Sequence, residues 1–74
     1  MKPGLTIEIA SVPDRDELVA EVWAGRDQFA ELRKEGDGLV LQVFSPPQGG
    51  AWDLAFEQVL KALATARDRL EGDK

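Results

Sequence analysis

Fourteen carboxylates, with no histidine and no cysteine, set the chemistry open to this chain of 74 residues. A Ser-His or Cys-His nucleophile and the common zinc sites all need residue types that it lacks. Carboxylate chemistry remains, in two groupings. Asp14, Asp16 and Glu17 crowd one connection, where converging oxygens could hold magnesium or calcium. Arg15 sits among them and their spacing is not that of a calcium loop, so a solvated acidic loop suited to a basic partner is the expectation. Glu21 and Glu31 form the second grouping, set face to face by the strand register derived below. Like charges so placed lower stability, and acid–base catalysis would need a pocket that an open sheet does not offer. An arginine of a partner bridging both carboxylates fits them better. No cofactor or metal is expected, and the chain reads as a binding protein and not an enzyme.

Alternating apolar and polar residues place these groups on strands. Leu5, Ile7 and Ile9 share one side of a first strand over 5–10. A polar connection bearing Pro13 leads to a second strand over 17–24. Gly25-Arg26-Asp27 is read as a three-residue loop, which sets Trp23 opposite Phe29 and Glu21 opposite Glu31 and keeps Leu18, Ala20 and Val22 beside Ala30 and Leu32. The third strand ends at Glu35. Gly36-Asp37 then makes a two-residue turn into a fourth strand over 38–44, pairing Phe29 with Phe44, Glu31 with Gln42 and Arg33 with Val40.

The Ser45-Pro46-Pro47-Gln48-Gly49-Gly50 run closes the sheet. Its two glycines lack the lysine of a phosphate loop and serve a strand-to-helix crossing. From Asp53, a plausible N-cap, to Leu70 the period becomes helical, with Phe56, Val59, Leu60, Leu63, Ala66 and Leu70 on one stripe and a Glu57–Lys61 pair away from it. Trp52 is expected to lay its ring over the helix start or the sheet end. The fold class is therefore α+β: a four-stranded antiparallel meander with one C-terminal amphipathic helix across one face. The expected core joins Leu5, Ile7, Ile9, Leu18, Val22, Leu32, Leu39, Leu41 and Val43 to the helix stripe. Trp23, Phe29 and Phe44, with Val19 and Val40, are left on the uncovered face, where an apolar patch calls for a partner.

Size and charge narrow the class of partner. A single domain over residues 1–74 has a core worth only a few kcal/mol of net stability, about 3–5 by the usual reckoning, so association is a live expectation. The net charge of -5 disfavours direct contact with nucleic-acid phosphates and with anionic membrane surfaces and favours a basic protein surface, besides keeping the chain in solution. Absence of cysteine, an N-terminus without an apolar leader and no run long enough to cross a bilayer point to the cytosol.

The segment Ile7-Glu8-Ile9-Ala10-Ser11-Val12-Pro13-Asp14-Arg15, together with Gly49-Gly50-Ala51-Trp52-Asp53 ahead of the closing helix, resembles small proteins of GC-rich bacteria and their mobile elements. In size, acidity and lack of catalytic residues the whole chain resembles anti-CRISPR proteins, in particular those acting on the type I-C surveillance complex. That resemblance implies an inhibitor carried by a phage or mobile element, which occludes the basic DNA-binding surface of a host complex. Nine basic residues depart from a uniformly acidic DNA mimic, so steric occlusion by a mixed surface is the form expected. The partner-binding set would be Trp23, Phe29, Phe44, Glu21, Glu31, Asp14, Asp16 and Glu17. Two alternatives use the same face: an immunity protein or antitoxin that blocks a toxin, and a two-fold homodimer with the aromatic row as its centre.

Overall fold

The computed structural model describes residues 4–11 and 17–72. Four strands, β1 (Leu5–Ser11), β2 (Leu18–Ala24), β3 (Asp27–Glu35) and β4 (Gly38–Val43), form one antiparallel sheet in the order β1-β2-β3-β4, followed by helix α1 (Phe56–Leu70). This is the ββββα meander expected from the alternation and the closing helical period.

The registers confirm Glu21 opposite Glu31, Glu31 opposite Gln42 and Arg33 opposite Val40. The β2–β3 connection differs from expectation. Gly25-Arg26 is a two-residue turn, with Gly25 at a φ of 65°, and Ala24 pairs with Asp27. Val22 still pairs with Ala30 while Trp23 pairs with Gln28, so Phe29 is an extra residue on β3, a β-bulge. Two demands conflict here. The tight turn fixes one register, whereas burying Ala20 and Val22 beside Ala30 and Leu32 requires another, and the bulge absorbs the difference of one residue.

The core joins Ala20, Val22, Ala30 and Leu32 of the sheet to Ala62, Ala66 and Leu70 of α1, with Leu5, Ile7, Phe29, Leu39 and Leu63 packed at its margin. Alanines on both surfaces let the helix settle closely, and Val22 is the largest side chain buried completely among the described residues.

α1 lies on β1 and β2, grazes β3 and does not reach β4. Its flank over the β1 edge carries Gln58, Lys61, Thr65 and Arg69 near Leu5 and Ile7. The 3.6-residue period therefore turns Phe56, Leu60 and Leu63 toward the β3–β4 side. The expected core is corrected accordingly: Ile9, Leu18, Leu41 and Val43 of the sheet and Phe56 and Leu60 of the helix are exposed. Asp53 is not the N-cap. The helix starts at Phe56 after Ala55, which has extended backbone and no side-chain cap, and the Ala55 carbonyl accepts from the N–H groups of Gln58 and Val59 at 3.0 and 3.1 Å.

Trp52 fixes the entry to the helix. Its Nε1 donates to the Phe44 carbonyl at 2.7 Å, and its ring meets Phe29 edge-on, with centroids 5.3 Å apart. At the far end Gly72 adopts a φ of 83° and donates to the Arg69 carbonyl at 3.2 Å, a left-handed stop that glycine accommodates without strain.

Candidate functional site

The face of the sheet away from α1 is built from residues that alternate with the core positions: Thr6 and Glu8 on β1, Glu21 and Trp23 on β2, Gln28, Glu31 and Arg33 on β3, Val40 and Gln42 on β4. Glu8 pairs with Glu21, Glu21 with Glu31, and Glu31 with Gln42. Three carboxylates thus stand in one line across adjacent strands, at the interstrand spacing of about 4.8 Å. Sequence reasoning found Glu21 and Glu31 and missed Glu8 as a member of the row. The signal would have been the β1–β2 register, which the connection over 12–16 does not specify.

Arg33 compensates one end of this row. Its Nη1 lies 3.8 Å from Glu31 Oε2 and donates to Gln42 Oε1 at 3.1 Å, and its Nε donates to Glu35 Oε2 at 2.8 Å. At the other end, no cation among the described residues lies within ion-pair distance of Glu8 or Glu21. Trp23 Nε1 donates to Glu21 Oε1 at 3.2 Å, holding that carboxylate against the indole. Thr6, Glu8, Glu21, Trp23 and Gly25 line a shallow open depression here. Such a surface can meet guanidinium or ammonium groups along a line and offer an aromatic edge beside them.

The expected aromatic row is broken by the bulge, a correction that follows from the register. Trp23 faces Gln28, and Phe29 packs at the core margin against Trp52. Phe44 lies just beyond β4 and is half-buried; its N–H donates to the Phe29 carbonyl at 2.9 Å. Val19, expected to be open, is buried at 4% exposure. Of the nominated partner-binding residues, Trp23, Glu21 and Glu31 are brought together. Glu17 is set apart from them, beside Leu18, Lys34 and Leu70 at a separate depression, and Asp14 and Asp16 fall outside the described residues.

No group of three or more carboxylates among the described residues is placed to hold a metal ion. No described helix is long and apolar enough to cross a membrane. A second surface, unforeseen in the sequence, lies on the helix side. There Leu41 and Val43 on β4 and Phe56 and Leu60 on α1 are exposed, at 42, 54, 69 and 49%. Comparison of the chain with protein-family models, with curated proteins and with solved structures gives no match.

Proposed function

We propose that this chain is a non-enzymatic, protein-binding inhibitor that covers a basic surface of a host nucleic-acid-binding complex, using the outer sheet face as its contact. The observation that carries the reading is the row Glu8, Glu21, Glu31 on the face away from α1, the one helix among the described residues. Directly opposed like charges weaken a sheet, and only Glu31 of the three has a cation within ion-pair distance among the described residues. Arginines or lysines of a partner would turn that internal repulsion into charge-assisted hydrogen bonds. The resemblance to small acidic anti-CRISPR proteins supplies the target class: a surface that otherwise recruits DNA through its phosphates. Occupation of those cations by carboxylates, with Trp23 adding desolvated area at the end of the row, would exclude DNA by competition.

The test is displacement of target DNA from a purified type I-C surveillance complex, followed by gel shift. The wild-type chain should release DNA in proportion to its concentration, and the E8Q/E21Q/E31Q variant should need at least about ten times more protein, the loss of roughly 1.4 kcal/mol. DNA retention unaffected by the wild-type chain would overturn the reading.

A further inference from the structure

We infer that β4 is the self-association edge of this protein, pairing antiparallel with β4 of a second copy about a two-fold axis. The sheet has two edges of opposite character. On β1 the exposed Glu8 stands mid-strand, and Arg69 Nη1 reaches the Ile7 carbonyl at 3.5 Å. On β4 the run Gly38-Leu39-Val40-Leu41-Gln42-Val43 has no charge and no proline, and neither a further strand nor α1 covers its outer side among the described residues. Soluble proteins blunt an open edge with charge, proline or a covering element, because unpaired backbone groups recruit other strands. Among the described residues β4 carries no charge and no proline and is covered by neither a strand nor α1, which leaves its outer groups for a partner strand.

Backbone alternation says which groups wait for it. The Phe44 N–H donates to the Phe29 carbonyl at 2.9 Å, so the N–H groups of Gln42 and Val40 also turn toward β3. Those of Leu39, Leu41 and Val43 point to the open side. A two-fold through Leu41 pairs Leu41 with its own mate, Leu39 with Val43 and Val40 with Gln42. Every outward N–H in that stretch then finds a carbonyl, and the exposed Leu41 and Val43 gain apolar cross-strand neighbours on the helix side.

Charge selects a second copy over another occupant. The chain carries -5 overall, yet β4 contributes no carboxylate. The helix-side residues of β3 behind it are Ala30, Leu32 and Lys34. On the outer side Glu31 and Glu35 both lie within reach of Arg33, at 3.8 and 2.8 Å. Asp37, in the turn before Gly38, is the nearest carboxylate, and in this register it lies beyond the paired stretch, so two acidic molecules can approach along the strand with little repulsion, whereas a basic partner finds no carboxylate on β4 itself. The axis runs through the plane of the sheet, so the outer faces of both copies stay on one side. The acidic rows remain open and are doubled.

Sedimentation velocity of the full chain over a dilution series tests this. A reversible species of twice the 8.1 kDa chain mass is expected, with the Leu39, Leu41 and Val43 amides gaining hydrogen-exchange protection as concentration rises. Leu41→Lys and Val43→Lys, at positions already exposed, should each weaken self-association at least tenfold with the far-UV spectrum unchanged. A chain that stays monomeric throughout overturns the inference. So does a dimer indifferent to both lysines, or an assembly that keeps growing with concentration. Because the acidic row is not involved, DNA displacement by a purely monomeric chain would refute the dimer and leave the proposed inhibition standing.

Discussion

The β1–β2 half of the sheet makes most of the contact with α1, whereas in the other half the helix only grazes β3 and does not reach β4. On the first half Ala20 and Val22 are completely buried against Ala62, Ala66 and Leu70. On the other half Ala30 and Leu32 still reach the core, but Leu41 and Val43 of β4 remain in contact with solvent, and Phe56 and Leu60 of the helix are exposed as well. The difference shows that apolarity alone does not decide where a lone helix settles. Small side chains do, because alanine on both surfaces permits close approach over a broad area, while Phe56 and Leu60 would hold the helix away from the sheet.

The strongest way to break that comparison is to place one charge on each side of the same helix. Ala66→Asp would bury a carboxylate without a partner, at several kcal/mol after relaxation, against a net stability of about 3–5 kcal/mol for a core of this size. The variant should lose its cooperative thermal transition by circular dichroism. Leu60→Asp, on the exposed flank, should shift stability by no more than about 0.5 kcal/mol. Equal damage from the two would mean that Leu60 is covered in solution and that the halves are not distinct.

A middling effect sharpens the same contrast at the entry to the helix, where the chain decides which half is covered. Trp52→Phe keeps a ring against Phe29 and removes the 2.7 Å hydrogen bond to the Phe44 carbonyl. A loss of about 1 kcal/mol in urea unfolding is expected. No change would show that another contact sets the position of the 44–55 connection.

Much of this was legible in the residues. Alternation alone specifies four strands, and Gly36-Asp37 is a turn signal strong enough to fix the β3–β4 register. Glu21 against Glu31 followed from matching Ala20 and Val22 to Ala30 and Leu32. The bulge was hidden, because a three-residue loop and a two-residue turn with one extra residue satisfy the same alternation until backbone geometry chooses between them. That single choice removes Phe29 from the outer row. The lateral position of α1 was hidden too. The stripe from Phe56 to Leu70 contains both residues buried against the sheet and residues left exposed, Phe56 and Leu60, and periodicity cannot rank them. Asp53 satisfied the side-chain preference for an N-cap, but the helix begins at Phe56, after an Ala55 in extended backbone with no side-chain cap.

The smallest expected effect bears on the outer face, where the two halves meet in one carboxylate row. Glu21 is the central member, opposed by Glu8 on β1 and by Glu31 on β3. Its neighbour Arg33 answers Glu31, and among the described residues no cation answers Glu21 itself. Glu21→Gln removes both like-charge oppositions and keeps an amide oxygen able to accept from Trp23 Nε1. The sheet should gain a few tenths of a kcal/mol, about 0.2–0.5, at low ionic strength. That gain should shrink as salt is raised, because exposed charges are screened within about 10 Å at 0.1 M. Chemical denaturation with urea, which adds no charge, at low and high sodium chloride resolves the difference. A loss of stability in place of the gain would mean that the carboxylate is held by the fold for its own sake, and the row would then no longer stand as a surface kept ready for a basic partner.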